Sequence, residues 1–137
     1  MNPRVITEIA EYYEKELGYE IPTMTPFVGK NFNVTRAGIH ADGLLKDEEI
    51  YNIFNTSKLL GRPVAVAVSN VSGAAGVAYW INAYFKLTGN KKIDKKDKLV
   101  CKIQNWVNSE YDSGRQTSIS DEEMVAIIEK FAPGKYI

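Results

Sequence analysis

The chain has 137 residues, with seventeen Lys and Arg set against seventeen Asp and Glu, one histidine and one cysteine. A neutral balance gives no global attraction for nucleic acid or an anionic membrane surface. Cys101 alone permits no internal disulfide and fits a reducing cytoplasm. No apolar run approaches the roughly 20 residues needed to cross a bilayer. The start of the chain, with Glu8, Glu11, Glu14 and Glu16, is unlike a secretory signal. The length suits one compact domain or a piece of a larger protein, and eight tyrosines, five phenylalanines and two tryptophans supply the bulk for a core.

In chain order, residues 3–18 read as an amphipathic helix. Pro3 fits its first turn, Val5, Ile6, Ile9, Tyr13 and Leu17 recur at spacings of three and four, and Gly18 is placed to end it. Ile21 to Gly29 carries two prolines and no periodicity, as an extended connector does. Residues 30–36 are polar, with a brief strand expected around Phe32 and Val34.

The stretch from Arg36 to Lys46 concentrates the chemistry. It holds the sole histidine, His40, with Gly38 before it and Asp42 and Gly43 after it. Two glycines so close together predict a backbone that turns or admits a close neighbour, rather than a regular element. A lone imidazole without a cysteine or second histidine is a poor metal site. Residues 47–54 are expected to form a short helix, its acidic start favoured by the helix dipole, with Asn55-Thr56-Ser57 breaking it. Val64 to Val68 alternates β-branched and small residues, as a short strand or buried extended run does.

Ser72-Gly73-Ala74-Ala75-Gly76 then opens a helix with Val77, Trp80, Ile81, Tyr84 and Leu87 directed inward, closed by Gly89-Asn90. Its small residues allow either tight packing against another backbone or close approach of an anion. Asp94 is the expected cap of the next helix, whose stripe is Leu99, Val100, Ile103, Trp106, Val107 and Tyr111. Lys95, Lys96, Lys98 and Lys102 mark its solvated face, where a phosphate could also be met, and Cys101 is expected to pack. Ser120-Asp121-Glu122-Glu123 is a capping box for a last helix with Met124, Val125, Ile127, Ile128 and Phe131 inward, stopped by Pro133-Gly134. The fold class is therefore mainly α: about four helices, a loop-rich middle and minor strand content. One histidine, with no HExxH, CxxC, GxSxG or nucleotide fingerprint, is too little to assemble an autonomous enzyme.

Phe27-Val28-Gly29, the run Ala37 to Lys46, and Ile50-Tyr51-Asn52-Ile53-Phe54 together resemble the region after the catalytic barrel in one synthase family. That family comprises the 2-isopropylmalate, homocitrate, citramalate and Re-type citrate synthases, which condense acetyl-CoA with a 2-oxo acid on a metal-dependent TIM barrel. The tracts Val71 to Val77 and Gly114 to Glu123 are similar to later parts of the same region. The resemblance implies that residues 1–18 are the last helix of a barrel missing from this chain, that residues 19–60 form a linker or subdomain carrying the histidine loop, and that residues 61–137 form a helical C-terminal subdomain.

It also implies that His40 and Tyr51 reach the active site of a partner subunit as catalytic residues. Gly38, Asp42, Gly43, Ser72 and Gly73 would lie on the substrate or CoA side. No metal ligand or cofactor is implied in this chain; the barrel motifs for a divalent metal and the 2-oxo acid have no counterpart here. The chain would then be a fragment or a separately encoded subunit of a cytoplasmic acyltransferase, inactive without a barrel and part of a homodimer. Neither nucleic acid nor membrane is implied as a partner. An amino-acid-sensing regulatory domain has no counterpart either. Residues 31–36 lack a histidine that many isopropylmalate synthases carry, so the run Ala37 to Lys46 leans to the homocitrate and Re-citrate types. The alternative is a non-catalytic helical interaction or regulatory domain in which His40 and the glycines only shape a loop.

Overall fold

A computed structural model describes residues 1–50 and 52–136, which are mainly helical. Its α-helices are α1 (Arg4–Glu16), α2 (Gly38–Lys46), α3 (Thr56–Leu60), α4 (Gly73–Tyr84), α5 (Lys98–Asp112) and α6 (Asp121–Phe131). Two short strands, β1 (Val34–Thr35) and β2 (Ala65–Val66), pair in parallel, with Val34 opposite Ala65 and Thr35 opposite Val66. Parallel strands require a crossover, and the segment carrying α2 and α3 provides it. The helix bearing His40 is thus the connection between two paired strands.

The core lies where α4, α5 and α6 meet. Val77, Ile81, Val100, Ile103, Val107, Met124 and Ile128 are all fully buried there. At about 1.5–3 kcal/mol for each large aliphatic side chain removed from water, this helical trio dominates the stability of the described chain. A smaller cluster of Ala41, Leu44, Val64 and Val66 seats α2 on β2, with Ala75 and Tyr79 of α4 against it. The Tyr79 hydroxyl donates to the Val64 carbonyl at 3.0 Å, tying α4 to the strand.

Several expectations give way. There are six α-helices among the described residues rather than about four. The histidine segment is helical, not a turn: Ala37 is extended (φ −80°, ψ 130°), and Gly38 to Lys46 coil with Ala41, Gly43 and Leu44 buried. Gly38 serves contact with neighbouring backbone. Of the helix expected over 47–54, the described residues form only a single 3-10 turn, Glu48–Ile50. Asn55-Thr56-Ser57 opens α3 instead of breaking a helix, because the Asn55 side chain accepts the Lys58 amide at 2.9 Å and Gly61 closes the far end at φ 69°.

The helix from Gly73 ends at Tyr84, short of Gly89-Asn90, with Lys86 turning the chain at φ 52°. Tyr84 is consequently exposed, and Leu87 packs on the core from outside the helix. Asp97, not Asp94, caps α5 by accepting the Leu99 amide at 2.8 Å; Asp94 accepts the Lys96 amide of the preceding turn. Cys101 is exposed rather than packed. By contrast, the Ser120–Glu123 capping box forms in both directions.

Helix α1 stands apart from the core. Of its residues only Ala10 is buried, and Val5, Ile6, Ile9, Tyr13 and Leu17, the apolar stripe read from the sequence, are all exposed. It is tethered through the Thr7 hydroxyl, which donates to the Leu60 carbonyl at 2.7 Å. No helix among the described residues is long and apolar enough to cross a membrane.

Candidate functional site

His40 lies in the first turn of α2, three residues after the extended Ala37. Its Nδ1 stands 3.3 Å from the Thr35 hydroxyl, which belongs to β1. Thr35 is in turn fixed by its carbonyl, which accepts the Ala67 amide at 2.9 Å across the strand pair. The sequence folds this way because β1 ends at Thr35 and α2 begins at Gly38, a turn short enough to bring position 35 beside position 40. Beside the imidazole is a cavity of about 270 Å³ bounded by Phe32, Asn33, Thr35, His40, Leu44 and Asn52. The Asn33 amide is committed to the Arg62 and Pro63 carbonyls. The Asn52 Nδ2 is buried without a hydrogen-bond partner among the described residues, an arrangement that calls for a reason.

Gly38 explains why α2 sits where it does. Its amide donates to the Val71 carbonyl at 2.9 Å, and a Cβ there would stand 2.8 Å from the Ser72 carbonyl oxygen. Only glycine lets the start of α2 press against the backbone that opens α4. The close approach expected of the glycines is therefore found at Gly38, and the small residues at 71–73 receive it.

The other sequence-predicted positions distribute around this contact. Asp42 is two residues from His40 on the same helix, a spacing that directs the side chains apart. Its carboxylate bonds Lys95 and pairs with Lys46 at 3.5 Å. The Lys95 ammonium, followed by Lys46, holds the Asp42 carboxyl below the usual carboxylate range. Lys95 thus does not belong wholly to a solvated face; it joins the approach to α5 to α2. Gly43 is buried within α2.

The Ser72 hydroxyl is consumed inside its own turn. It donates to the Ser69 carbonyl at 2.9 Å and accepts the Ser69 amide at 3.0 Å. Gly73 stands at φ 61° and opens α4. Tyr51 lies outside the described residues. The structure therefore brings His40, Thr35 and Asn52 to one cavity, and places Asp42 and Ser72 in other contacts.

Thr35, Asn52 and Lys95 are partners that sequence reasoning did not find. A contact between positions 35 and 40 across a strand-to-helix turn follows no helix or strand period, and Asp42 and Lys95 are 53 residues apart. Among the described residues no group of three His, Cys, Asp or Glu side chains could hold a metal ion. With Asp42 committed to lysines, the described donors at this site do not fit a metal. Chemically, the cavity offers an imidazole with a fixed neighbour, a buried amide donor and apolar walls.

No protein-family model matches the chain. The chain is 54% identical to the citrate (Re)-synthase of Clostridium kluyveri over 97% of its own length and 29% of that protein. It is likewise 54% identical to the citrate (Re)-synthase of Syntrophus aciditrophicus, over 94% of the chain and 20% of that protein. The 2-phosphinomethylmalate synthase of Streptomyces hygroscopicus is 34% identical over 95% of the chain and 28% of its own length. The chain thus spans less than a third of each of these relatives.

Proposed function

By homology this chain belongs to the family of the citrate (Re)-synthases, and from that premise we propose that it is the C-terminal accessory region of an acyltransferase. That enzyme condenses acetyl-CoA with a 2-oxo acid, and this region contributes His40 and Tyr51 to the active site of a partner subunit. A TIM-barrel domain, in the same or a separate chain, supplies the remaining groups and the divalent metal.

The observation that carries the reading is the placement of His40. It is exposed at the start of a helix whose opposite side is buried, with its ring held by Thr35 at the mouth of a cavity. Ile39 beside it is 72% exposed, so this end of α2 is open to an approaching surface. Condensation needs a base for a methyl proton of the thioester and donors for the oxygen that gains charge. A single imidazole can serve either purpose near neutrality. In this reading His40 handles the proton or polarises the substrate, Tyr51 is its hydrogen-bond partner, and Thr35 sets the orientation of the ring.

The exposed apolar residues of α1 support a second element of the reading. Ile6, Ile9, Ile21 and Val28 border a wholly apolar depression, which suits the last helix of a barrel seated against its neighbours. The same surface also fits the alternative of a non-catalytic interaction domain, which needs no His40.

Subunit complementation separates the two. In the complete synthase, a His40→Ala variant mixed with a variant disabled in the barrel should regain activity, because a mixed dimer pairs one intact barrel with one intact His40. Absence of regain, with mixed dimers demonstrated by mass, refutes the contribution across subunits.

A further inference from the structure

The lysine-rich segment before α5 is not used by the synthase reading, and it borders a second cavity. Six of the chain's seventeen Lys and Arg fall within residues 86–98, against two aspartates. Both aspartates turn their carboxylates to backbone amides, Asp94 to that of Lys96 and Asp97 to that of Leu99. Lys91, Lys92 and Lys135 are exposed and have no ion-pair partner among the described residues. They rim a cavity of about 480 Å³ with an apolar, aromatic floor of Phe85, Leu87 and Tyr136; Asp97 also lines it, its carboxylate engaged by the Leu99 amide. A concave space of this size is in the range of small-ligand sites.

The floor is a fixed aromatic pair. Phe85 and Tyr136 stack with centroids 5.0 Å apart and planes 24° from parallel, and Lys135 Nζ sits 5.2 Å over the Tyr136 ring. The wall is held in place as well. Asn82, buried in α4, donates to the Ile93 carbonyl at 2.9 Å and accepts the Ile93 amide at 2.8 Å, so the loop carrying Lys91 and Lys92 is pinned to the core. Aromatic stacking for a base beside lysines for a phosphate is a combination that recognises nucleotides.

We propose that the cavity between Phe85, Tyr136 and the Lys91–Lys92 turn binds a phosphorylated nucleoside, the base against the aromatic floor and the phosphate among Lys91, Lys92 and Lys135. The ligand is either a free nucleotide or the nucleotide end of a larger coenzyme. The site is separate from the His40 cavity and does not depend on the role given to His40.

Isothermal titration of the 137-residue chain with AMP, coenzyme A and inorganic phosphate tests it. AMP should bind saturably and at least about tenfold tighter than phosphate, a gap of about 1.4 kcal/mol. Lys92→Ala with Lys135→Ala should weaken AMP by about tenfold, and Tyr136→Leu should weaken AMP while leaving phosphate unchanged. Coenzyme A binding tighter than AMP identifies the larger coenzyme as the source; equal affinity identifies a free nucleotide. Should Tyr136→Leu unfold, the lysine variant and the fall of AMP affinity with added salt carry the test. No saturable AMP binding, phosphate binding as tightly as AMP, or affinity unchanged in the lysine variant overturns the proposal.

Discussion

The Nδ1 atom of His40 and the hydroxyl of Thr35 stand 3.3 Å apart, one at the first turn of α2 and the other at the end of β1. The contact ties the chain's sole imidazole to the strand pair that α2 bridges, so the ring's orientation depends on the pairing of β1 with β2. A neutral imidazole has two tautomers, and a partner at Nδ1 favours one of them. Thr35→Val should shift the tautomer ratio of His40 by roughly two- to tenfold, the equivalent of one ordinary hydrogen bond, while Thr35→Ser should restore it. With only one histidine present, ring nitrogen chemical shifts report the change without ambiguity.

Gly38 is a packing residue with no room for a side chain. A Cβ would stand 2.8 Å from the Ser72 carbonyl oxygen and 3.1 Å from that of Val71. Because both neighbours are backbone, relief requires α2 and the start of α4 to separate. Gly38→Ala should cost about 1–3 kcal/mol in chemical denaturation. The cavity beside His40 should loosen with it, visible as faster amide exchange across α2.

Asp42 links α2 to the segment before α5. Its carboxyl is held below its ordinary value by Lys95 and then Lys46, so the stabilisation is present above the ordinary carboxylate range and is lost as pH falls through it. The pair is partly exposed, with Lys95 at 41% and Asp42 at 28%, so its weight is small. Lys95→Met should lower stability only slightly, because solvent screens the pair. It should raise the Asp42 titration midpoint, measurable from the side-chain carboxyl carbon.

Glu123 shows the same sign more strongly. Arg115 grips it through two hydrogen bonds of 2.7 and 2.6 Å, and the Ser120 amide adds a third, lowering its pKa from 4.5 to about 2. The contribution is complete above 4.5 and disappears as pH falls toward 2. Arg115→Gln should therefore lower stability at neutral pH and flatten the decline across that window. Thermal unfolding of both forms across the same window reads the difference directly.

Much of this was legible because the signals are local. Ser120 and Glu123 are three residues apart, and a capping box needs nothing from elsewhere in the chain. The stripe of Val100, Ile103 and Val107 likewise announces one helix and its inward side, and all three are fully buried. Gly38 and Gly43 misled for a physical reason: glycine lowers helix propensity, yet here the close contact at Gly38 and the burial of Ala41 and Leu44 outweigh that cost. Asn55 resembles a breaker in the sequence because a capping side chain and a turn side chain use the same residue types. Thr35 beside His40 and Lys95 on Asp42 were invisible, since neither contact follows a helix or strand period.

The most direct measurement is turnover of the complete synthase carrying His40→Ala, with His40→Gln as a partner variant of similar bulk. If His40 moves a proton or polarises the substrate in the condensation, kcat should fall by about 10²–10⁴-fold. The melting temperature should stay unchanged, because the imidazole is exposed and outside both buried clusters. Full activity in a correctly folded His40→Ala enzyme would contradict the catalytic role and leave the histidine as a structural residue of α2.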